Sequence, residues 1–570
     1  MTIHSLQRQA LVVISAFSVT GLAAWQPSRA EQADVEPPHR VSTESEPMAS
    51  GPFSPSWSSL AAYEAPDWFR DAKFGIWAHW GPQCAPEAGD WYARHMYSQG
   101  HWQYESHLKN YGHPSEFGFK DVIRSWKAER WNPEELVALY KRAGAMYFVA
   151  MANHHDNFDL WDSKHQPWNS VALGPKQDLV GRWARAARDQ GLRFGVTVHA
   201  AHAWLWYETA QGADATGSKA GVPYDGRLRK SDGQGTWWDG LDPQDLYEQA
   251  HEPSRDFADL NKIHGRWNWT GDGSVPDAAY CQRFYNRTVD LINQHDPDLL
   301  YFDDTALPLW PASDAGLTIA AHFYNRNMAR REGRLQAVLC GKILDQQQRQ
   351  CMIWDIERGH SNRIEPFPWQ TDTCIGDWHY NRDVYNRRRY KSAHSVVHML
   401  IDIVSKNGNL LLNVPVRSDG TIDDQERAIV EEIAEWTAVN GKAIYGTRPW
   451  IVFGEGPAMD ETAELSAQGF NEGKGKPLTA ADYRFVARGD SVFAFAMGRP
   501  GETATIASLG NKAGLLQRKI VKVRLAGGDE PLDWSQENDA LVIKVPTASL
   551  PARSEFATCF EIILTAATDP

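Results

Sequence analysis

The chain has 570 residues, 42% of them hydrophobic and 23% charged, with a formal net charge of −14. That length exceeds what a single core organises, so two domains and additional segments are expected. The negative balance excludes nucleic acids and anionic membranes as principal partners, since both require a basic face, and leaves neutral ligands open.

In chain order, Arg8, the apolar stretch from Ala10 to Ala24 and the small-x-small site Ser28-Arg29-Ala30 predict a cleavable signal peptide over residues 1–30. The protein is therefore expected outside the cytoplasm, periplasmic or secreted. The apolar stretch is short for a membrane span, an uncleaved anchor being the alternative, and no later stretch is long enough to insert. Residues 31–57, rich in Pro, Ser and Glu, predict a flexible leader. Strand-like runs follow at Ala72–Trp80, Met146–His155, Arg193–Ala200, Leu299–Asp304, Gln336–Lys342, Met352–Glu357, Gln370–Ile375 and Leu410–Val414. Helical periodicity falls between them at Pro133–Ala143, Asp178–Gln190, Ala278–Gln294, Ile319–Glu332 and Tyr390–Ser405, and after them at Asp423–Asn440. Eight strands with mostly helical connections predict an α/β fold, a (β/α)8 barrel over residues 58–448. The stretch 203–276 is too long for a simple connection and is expected to be an insertion at the barrel's active face. From residue 449 to 570 the texture becomes short β-branched runs (Tyr483–Ala487, Ser491–Ala496, Lys519–Leu525, Ala540–Val545, Ala557–Leu564), which predict an antiparallel β-sandwich.

The 25 tryptophans are the compositional outlier, and many sit beside polar residues, among them Trp80, Trp91, Trp204, Trp206 and Trp378. Flat apolar faces with one polar handle suit sugars, although large aromatics also fill cores. Six scattered cysteines lack CxxC spacing and form neither a zinc motif nor a recognisable disulfide framework. The sequons Asn268-Trp269-Thr270 and Asn286-Arg287-Thr288 matter only in a host that glycosylates.

Barrel enzymes place reacting groups where strands end. Those ends carry His79, then His154-His155-Asp156, then His199 and His202, then Asp303-Asp304, then Glu357; Asp90-Trp91 follows the first strand. Two carboxyls from different strands can face each other across the mouth, which glycoside hydrolysis requires, and a retaining enzyme holds them roughly 5 Å apart. Asp303 and Glu357 are compatible with that gap. Strand-end acids also cap helices or pair with arginine. The histidines admit a metal reading, with His154-x-Asp156 and a distant His forming an iron triad. Strand–helix alternation argues against the double-sheet fold of such oxygenases, and a single strand-one His argues against an amidohydrolase-type site. Neutral imidazoles holding sugar hydroxyls fit better, so no metal and no cofactor are expected.

An ordered set of motifs then resembles the α-L-fucosidases, glycoside hydrolase family 29. It comprises Trp68 through Gly81, Asp90-Trp91-Tyr92, His154 through Ser163, Gln177 through Gly181, Leu300-Tyr301-Phe302-Asp303, Trp369 through Cys374 with Trp378-His379-Tyr380-Asn381, and Asn407 through Val414. The resemblance implies a barrel followed by a β-sandwich and exo-acting, retaining hydrolysis of terminal α-L-fucosides from oligosaccharides or glycoconjugates. It implies Asp303 as nucleophile, with Asp304 as fallback, and His79, Asp90, Trp91, His154, His155, His199, Tyr301 and Trp378 around the sugar. Glu357 is the expected acid/base, with Glu365 and Asp372 in reserve. Two positions depart from the family pattern, Asp90 where Glu is common and His199 where Tyr is common. Alternatives are a related α-glycosidase acting on an α-L-galactoside, and a non-catalytic glycan-binding protein on the same fold. Nothing in the chain bears on oligomeric state.

Overall fold

The computed structural model describes residues 36–269, 273–461 and 469–566. The expected signal peptide, the first residues of the leader and Thr270 of the first sequon lie outside the described residues. Eight parallel strands close into a barrel in sequence order: β1 (Phe74–Ala78), β2 (Tyr147–Asn153), β3 (Arg193–Val198), β4 (Leu299–Thr305), β5 (Val338–Lys342), β6 (Ile353–Glu357), β7 (Trp369–Cys374) and β8 (Gly408–Asn413). β1 and β2 are apolar nearly throughout because both faces are covered, by the barrel interior and by the outer helices, while β7 (Trp-Gln-Thr-Asp-Thr-Cys) buries polar side chains. Phe74–Ala78 and Tyr147–Asn153 are buried at every position.

The outer helices start where side chains satisfy their first amides. Asn132 Oδ1 accepts from Glu135 N at 3.1 Å, with Pro133 at the first helical position, to open helix Pro133–Arg142. Asp423 and Glu426 close a reciprocal capping box that opens helix Asp424–Asn440. The ring is incomplete: β5 leads to β6 through a 3-10 turn, Gln348–Gln350, and β6 leads to β7 through a connection without a helix. That leaves the barrel wall beside β5–β7 open to other parts of the chain.

Two findings correct the sequence expectations. The leader expected to be flexible over residues 31–57 is docked in its described part. His39 exchanges backbone hydrogen bonds with Ala312 and Asp314, Phe53 N donates to Asn325 Oδ1 at 3.0 Å, and the Phe53 ring lies 5.0 Å from Tyr324. Glu46 is buried and accepts from His165 Nε2 at 2.9 Å, while Tyr285 donates to its carbonyl. A few anchoring residues outweigh the loose composition around them. The helix expected from Ile319 begins instead at Ala315, because Gly316 packs its bare Cα against Pro308 and Leu307, where any side chain would collide.

The C-terminal strands form a five-stranded antiparallel sheet, in order β13 (Ile520–Leu525), β16 (Thr558–Leu564), β11 (Ser491–Ala496), β10 (Tyr483–Arg488) and β9 (Arg448–Glu455). A second, three-stranded sheet runs β12 (Thr503–Ile506), β15 (Leu541–Lys544), β14 (Trp534–Gln536). Phe485, Ile506, Leu541, Ile543, Phe560 and Ile562 fill the layer between them. Helix Ala393–Ser405 joins this region to the barrel: Asp402 accepts from Lys406 Nζ and from Arg484 Nε of β10, both at 2.6 Å. No helix among the described residues is long and apolar enough to cross a membrane.

Candidate active site

A cavity of about 250 Å³ opens at the C-terminal ends of the barrel strands. That is below the roughly 300–1,000 Å³ of sites that enclose drug-sized ligands, and of a scale for one small ring. Trp77 and His79 from the end of β1 line it, with His154 and His155 after β2, His199 after β3, Asp303 on β4, Lys342 on β5, Glu357 on β6 and Asp372 on β7. Seven strand ends thus converge on one space, so the fixed barrel geometry positions the functional side chains.

Lys342 is the hinge of the arrangement. Its Nζ donates to Asp303 Oδ1 at 2.7 Å and to Glu357 Oε2 at 2.6 Å, and lies 3.6 Å from Asp372 Oδ2. Two such bonds to one nitrogen keep these oxygens of Asp303 and Glu357 no farther apart than the two lengths together. That matches the roughly 5 Å carboxyl spacing of retaining glycosidases and falls short of the roughly 6.5–9.5 Å of inverting ones. The two acids nevertheless hold protons very differently. Burial would raise Asp303, but the Lys342 ammonium and the neighbouring His155 and His199 outweigh it and hold the carboxyl well below the usual range. Burial raises Glu357; Lys342 opposes that, Asp372 and Asp303 add to it, and the carboxyl stands at about 7. One acid is thus ionised and the other protonated near neutrality, the division that acid-and-anion catalysis needs.

Burial favours the neutral imidazole at His79, His154, His155 and His199. Burial lowers His79 and His154 well below the ordinary range and brings His155 to about 4. His199 Nδ1 donates to Asp303 Oδ2 at 3.0 Å and its Nε2 accepts from Thr197 Oγ1 at 3.0 Å, which fixes its tautomer. His155 Nδ1 donates to the His199 carbonyl at 2.7 Å, leaving Nε2 3.6 Å from Asp303. Gln83 Nε2 donates to His154 Nδ1 at 2.8 Å, so His154 offers its Nε2–H to the cavity. Among the described residues, both ring nitrogens of His79 and the Nε2 of His379 are buried without a hydrogen-bond partner, while His379 Nδ1 lies 3.4 Å from Asp90 Oδ1. Buried polar atoms left in that state call for a ligand or water to satisfy them.

Aromatic rings close the sides. Trp378 packs 5.4 Å from Trp77 and 5.8 Å from His79, while Trp91, in a left-handed turn, packs among Trp206, His264 and Trp267 of the 203–276 insertion. His264 and Trp267 themselves line the cavity.

Most expected site residues come together here, with two differences. Tyr301 does not line the cavity: it is fully buried beneath it, with its hydroxyl 3.1 Å from Asp372 Oδ2. It supports a carboxylate and does not reach a ligand. Asp90 lines the cavity, but its carboxylate accepts from the backbone amides of Trp378 at 3.1 Å and His379 at 2.6 Å, so it holds the loop that presents those rings. Among the reserves, Asp304 is tied to His202 at 3.1 Å and raised by burial, Glu365 bonds Ser361 outside the cavity lining, and Asp372 lies deeper than Glu357. The iron-triad pattern does not assemble, because Asp156 turns away to accept from Phe158 N. His79, His154 and His379 each bring a ring nitrogen within 4.8 Å of the others and could hold a cation; the same spacing recurs in His154, His155 and His199, but both nitrogens of His199 are already engaged. Lys342, His379, His264, Trp267 and Phe470 line the cavity without having been singled out in the sequence. Lys342 alone left a trace there, as the single cation closing an apolar run.

The family profile described as Alpha-L-fucosidase matches residues 41–442. The chain belongs to the α-L-fucosidase family. Tissue alpha-L-fucosidase of Rattus norvegicus is 26% identical over 421 residues, 71% of this chain and 74% of that protein. Plasma alpha-L-fucosidase of Homo sapiens is 24% identical over 507 residues, 87% of this chain and 89% of that protein. Among solved structures, Thermotoga maritima alpha-fucosidase in complex with fucose superposes with a TM-score of 0.63 at 24% identity, covering 90% of this chain and all of that one. That likeness carries the fold. The family match covers the whole barrel, including every strand that supplies the cavity.

Proposed function

We propose that this member of the α-L-fucosidase family is an exo-acting, retaining α-L-fucosidase that removes terminal α-L-fucose from fucosylated oligosaccharides or glycans. The observation that carries the reading is the Asp303–Lys342–Glu357 cluster, in which two acids at retaining distance have opposite proton affinities. The sugar enters the cavity lined by Trp77 and His79, whose small volume suits a single terminal residue. Its hydroxyls exchange hydrogen bonds with His79, His154 and His379, and its apolar face lies on Trp378 or Trp91.

Ionised Asp303 attacks the anomeric carbon. The bond to the glycosidic oxygen breaks, and that oxygen takes its electron pair and the proton of Glu357. Glu357, now a carboxylate, draws a proton from water, whose oxygen attacks the same carbon and displaces Asp303, so fucose leaves with its configuration retained. Lys342 keeps Asp303 charged before the first step. Export directed by residues 1–30 belongs to the same reading.

Asp303→Gly tests the assignment. Hydrolysis of an aryl α-L-fucoside should fall at least about 10³-fold. Added azide should restore turnover and yield β-L-fucosyl azide, because the small anion enters from the face the carboxylate vacates. Near-normal turnover by the variant, or β-L-fucose as the wild-type enzyme's first product by proton NMR, would overturn it.

A further inference from the structure

The cavity accommodates one sugar, so whatever is joined to that sugar must pass its mouth on the side of the proton donor. Glu357 protonates the glycosidic oxygen, and the leaving group therefore starts beside Glu357. A segment from the C-terminal part of the chain is fastened there. Phe470 N donates to the Glu357 carbonyl at 2.8 Å, and Glu472 N donates to the Arg358 carbonyl at 2.9 Å. Asn471 bonds the His360 backbone in both directions, at 2.9 and 3.0 Å. The Glu472 carboxylate accepts from Thr373 Oγ1 at 2.7 Å and pairs with Lys391. Gly469, at φ +90°, lies so close to the Glu357 carbonyl that a side chain would collide with it.

These bonds hold Phe470 in an unfavourable position. Its φ is +58°, a region that bulky residues avoid, and its ring is 44% exposed while lining the cavity. Ile343, directly after Lys342, also lines the cavity at φ +53°, an outlier for a β-branched residue. Strained backbone of this kind persists where its surroundings over-determine it, and it clusters at ligand clamps.

We infer that Phe470 and Ile343 form the leaving-group subsite, an apolar shelf against which the pyranose ring released from fucose lays its apolar face. The inference rests on the fucosidase reading above. It makes the segment after β9, which lies outside the barrel, a determinant of which glycans are cleaved.

The test compares two substrates that differ only beyond the scissile bond. α-L-Fucosyl fluoride has a single-atom leaving group that cannot reach the shelf; 2′-fucosyllactose and 3-fucosyllactose carry a sugar that can. With whichever fucosyllactose the wild type cleaves faster, Phe470→Ala should lower kcat/KM roughly tenfold more than with the fluoride. Phe470→Tyr, which keeps the flat ring, should restore most of the difference. Equal losses on both substrates, or no loss on either, would overturn the inference. So would a wild type that hydrolyses the fluoride but neither oligosaccharide. A wild type inert on the fluoride itself would instead overturn the activity on which the subsite depends.

Discussion

Two carboxyls sharing a small cavity ordinarily raise each other's pKa; Lys342 breaks that symmetry. As the largest influence lowering Asp303, and one that also lowers Glu357, it sets both limbs of the pH profile. For the wild type, kcat/KM should fall about tenfold per unit as pH rises above about 7, where Glu357 loses its proton. In Lys342→Met the charged forms of both acids lose their partner, so both pKa values rise. The acid and alkaline limbs should therefore move to higher pH together while kcat drops; a profile that loses height without moving would reduce Lys342 to a structural role. At this scale the sequence revealed what clusters at strand ends. Asp303, Glu357 and the histidines stood out because ionisable residues closing apolar runs are conspicuous. Phe470 left no signal, since an aromatic outside the barrel gives no hint of the carbonyl on which it will lie. Tyr301 was misplaced because alternate residues of a barrel strand point to different layers, and sequence alone did not rank their depth.

At the scale of elements, helix Ala393–Ser405 is sandwiched between barrel and C-terminal sheet, and Asp402 neutralises two buried cations there. Asp402→Ala would strand Lys406 and Arg484 without a counter-charge, at a cost of about 3–5 kcal/mol. The loss should be visible as a lower midpoint in denaturant, with Asp402→Asn recovering part of it. All eight barrel strands were legible to within a few residues, most of them because they are apolar runs between polar connections; β7, Trp-Gln-Thr-Asp-Thr-Cys, carries the weakest such signal. β9, β12 and β14 were not: the burial patterns of β9 and β14 are mixed and β12 spans four residues, so their periodicity is weak. The helix expected from Tyr390 starts at Ala393, where Ser392 accepts from Ser395 N, while Tyr390 spends its hydroxyl on Asp423.

Across the whole molecule, the C-terminal sheets complete the barrel. Phe470 and Glu472 sit on β6 and β7, Arg484 reaches Asp402, and Trp436 lies 6.3 Å from Phe495. A chain ending at residue 447 would expose that face of helix Ala393–Ser405 and leave Asp402 and Lys391 short of partners. It should yield far less soluble protein than the full chain under matched expression, and a well-behaved, equally stable fragment would contradict this account. The change from barrel to antiparallel sheets was readable from the change in texture near residue 449; the mutual dependence was not, because it rests on single long-range contacts.

All six cysteines are free and buried, and burial pushes Cys84, Cys281, Cys351 and Cys374 up to about 12 and Cys340 and Cys559 well above their ordinary value. A sulfur kept protonated and out of reach is a poor nucleophile. The six thiols should therefore react slowly with alkylating reagents in the native fold, whose architecture is held by packing and polar contacts, without disulfide cross-links.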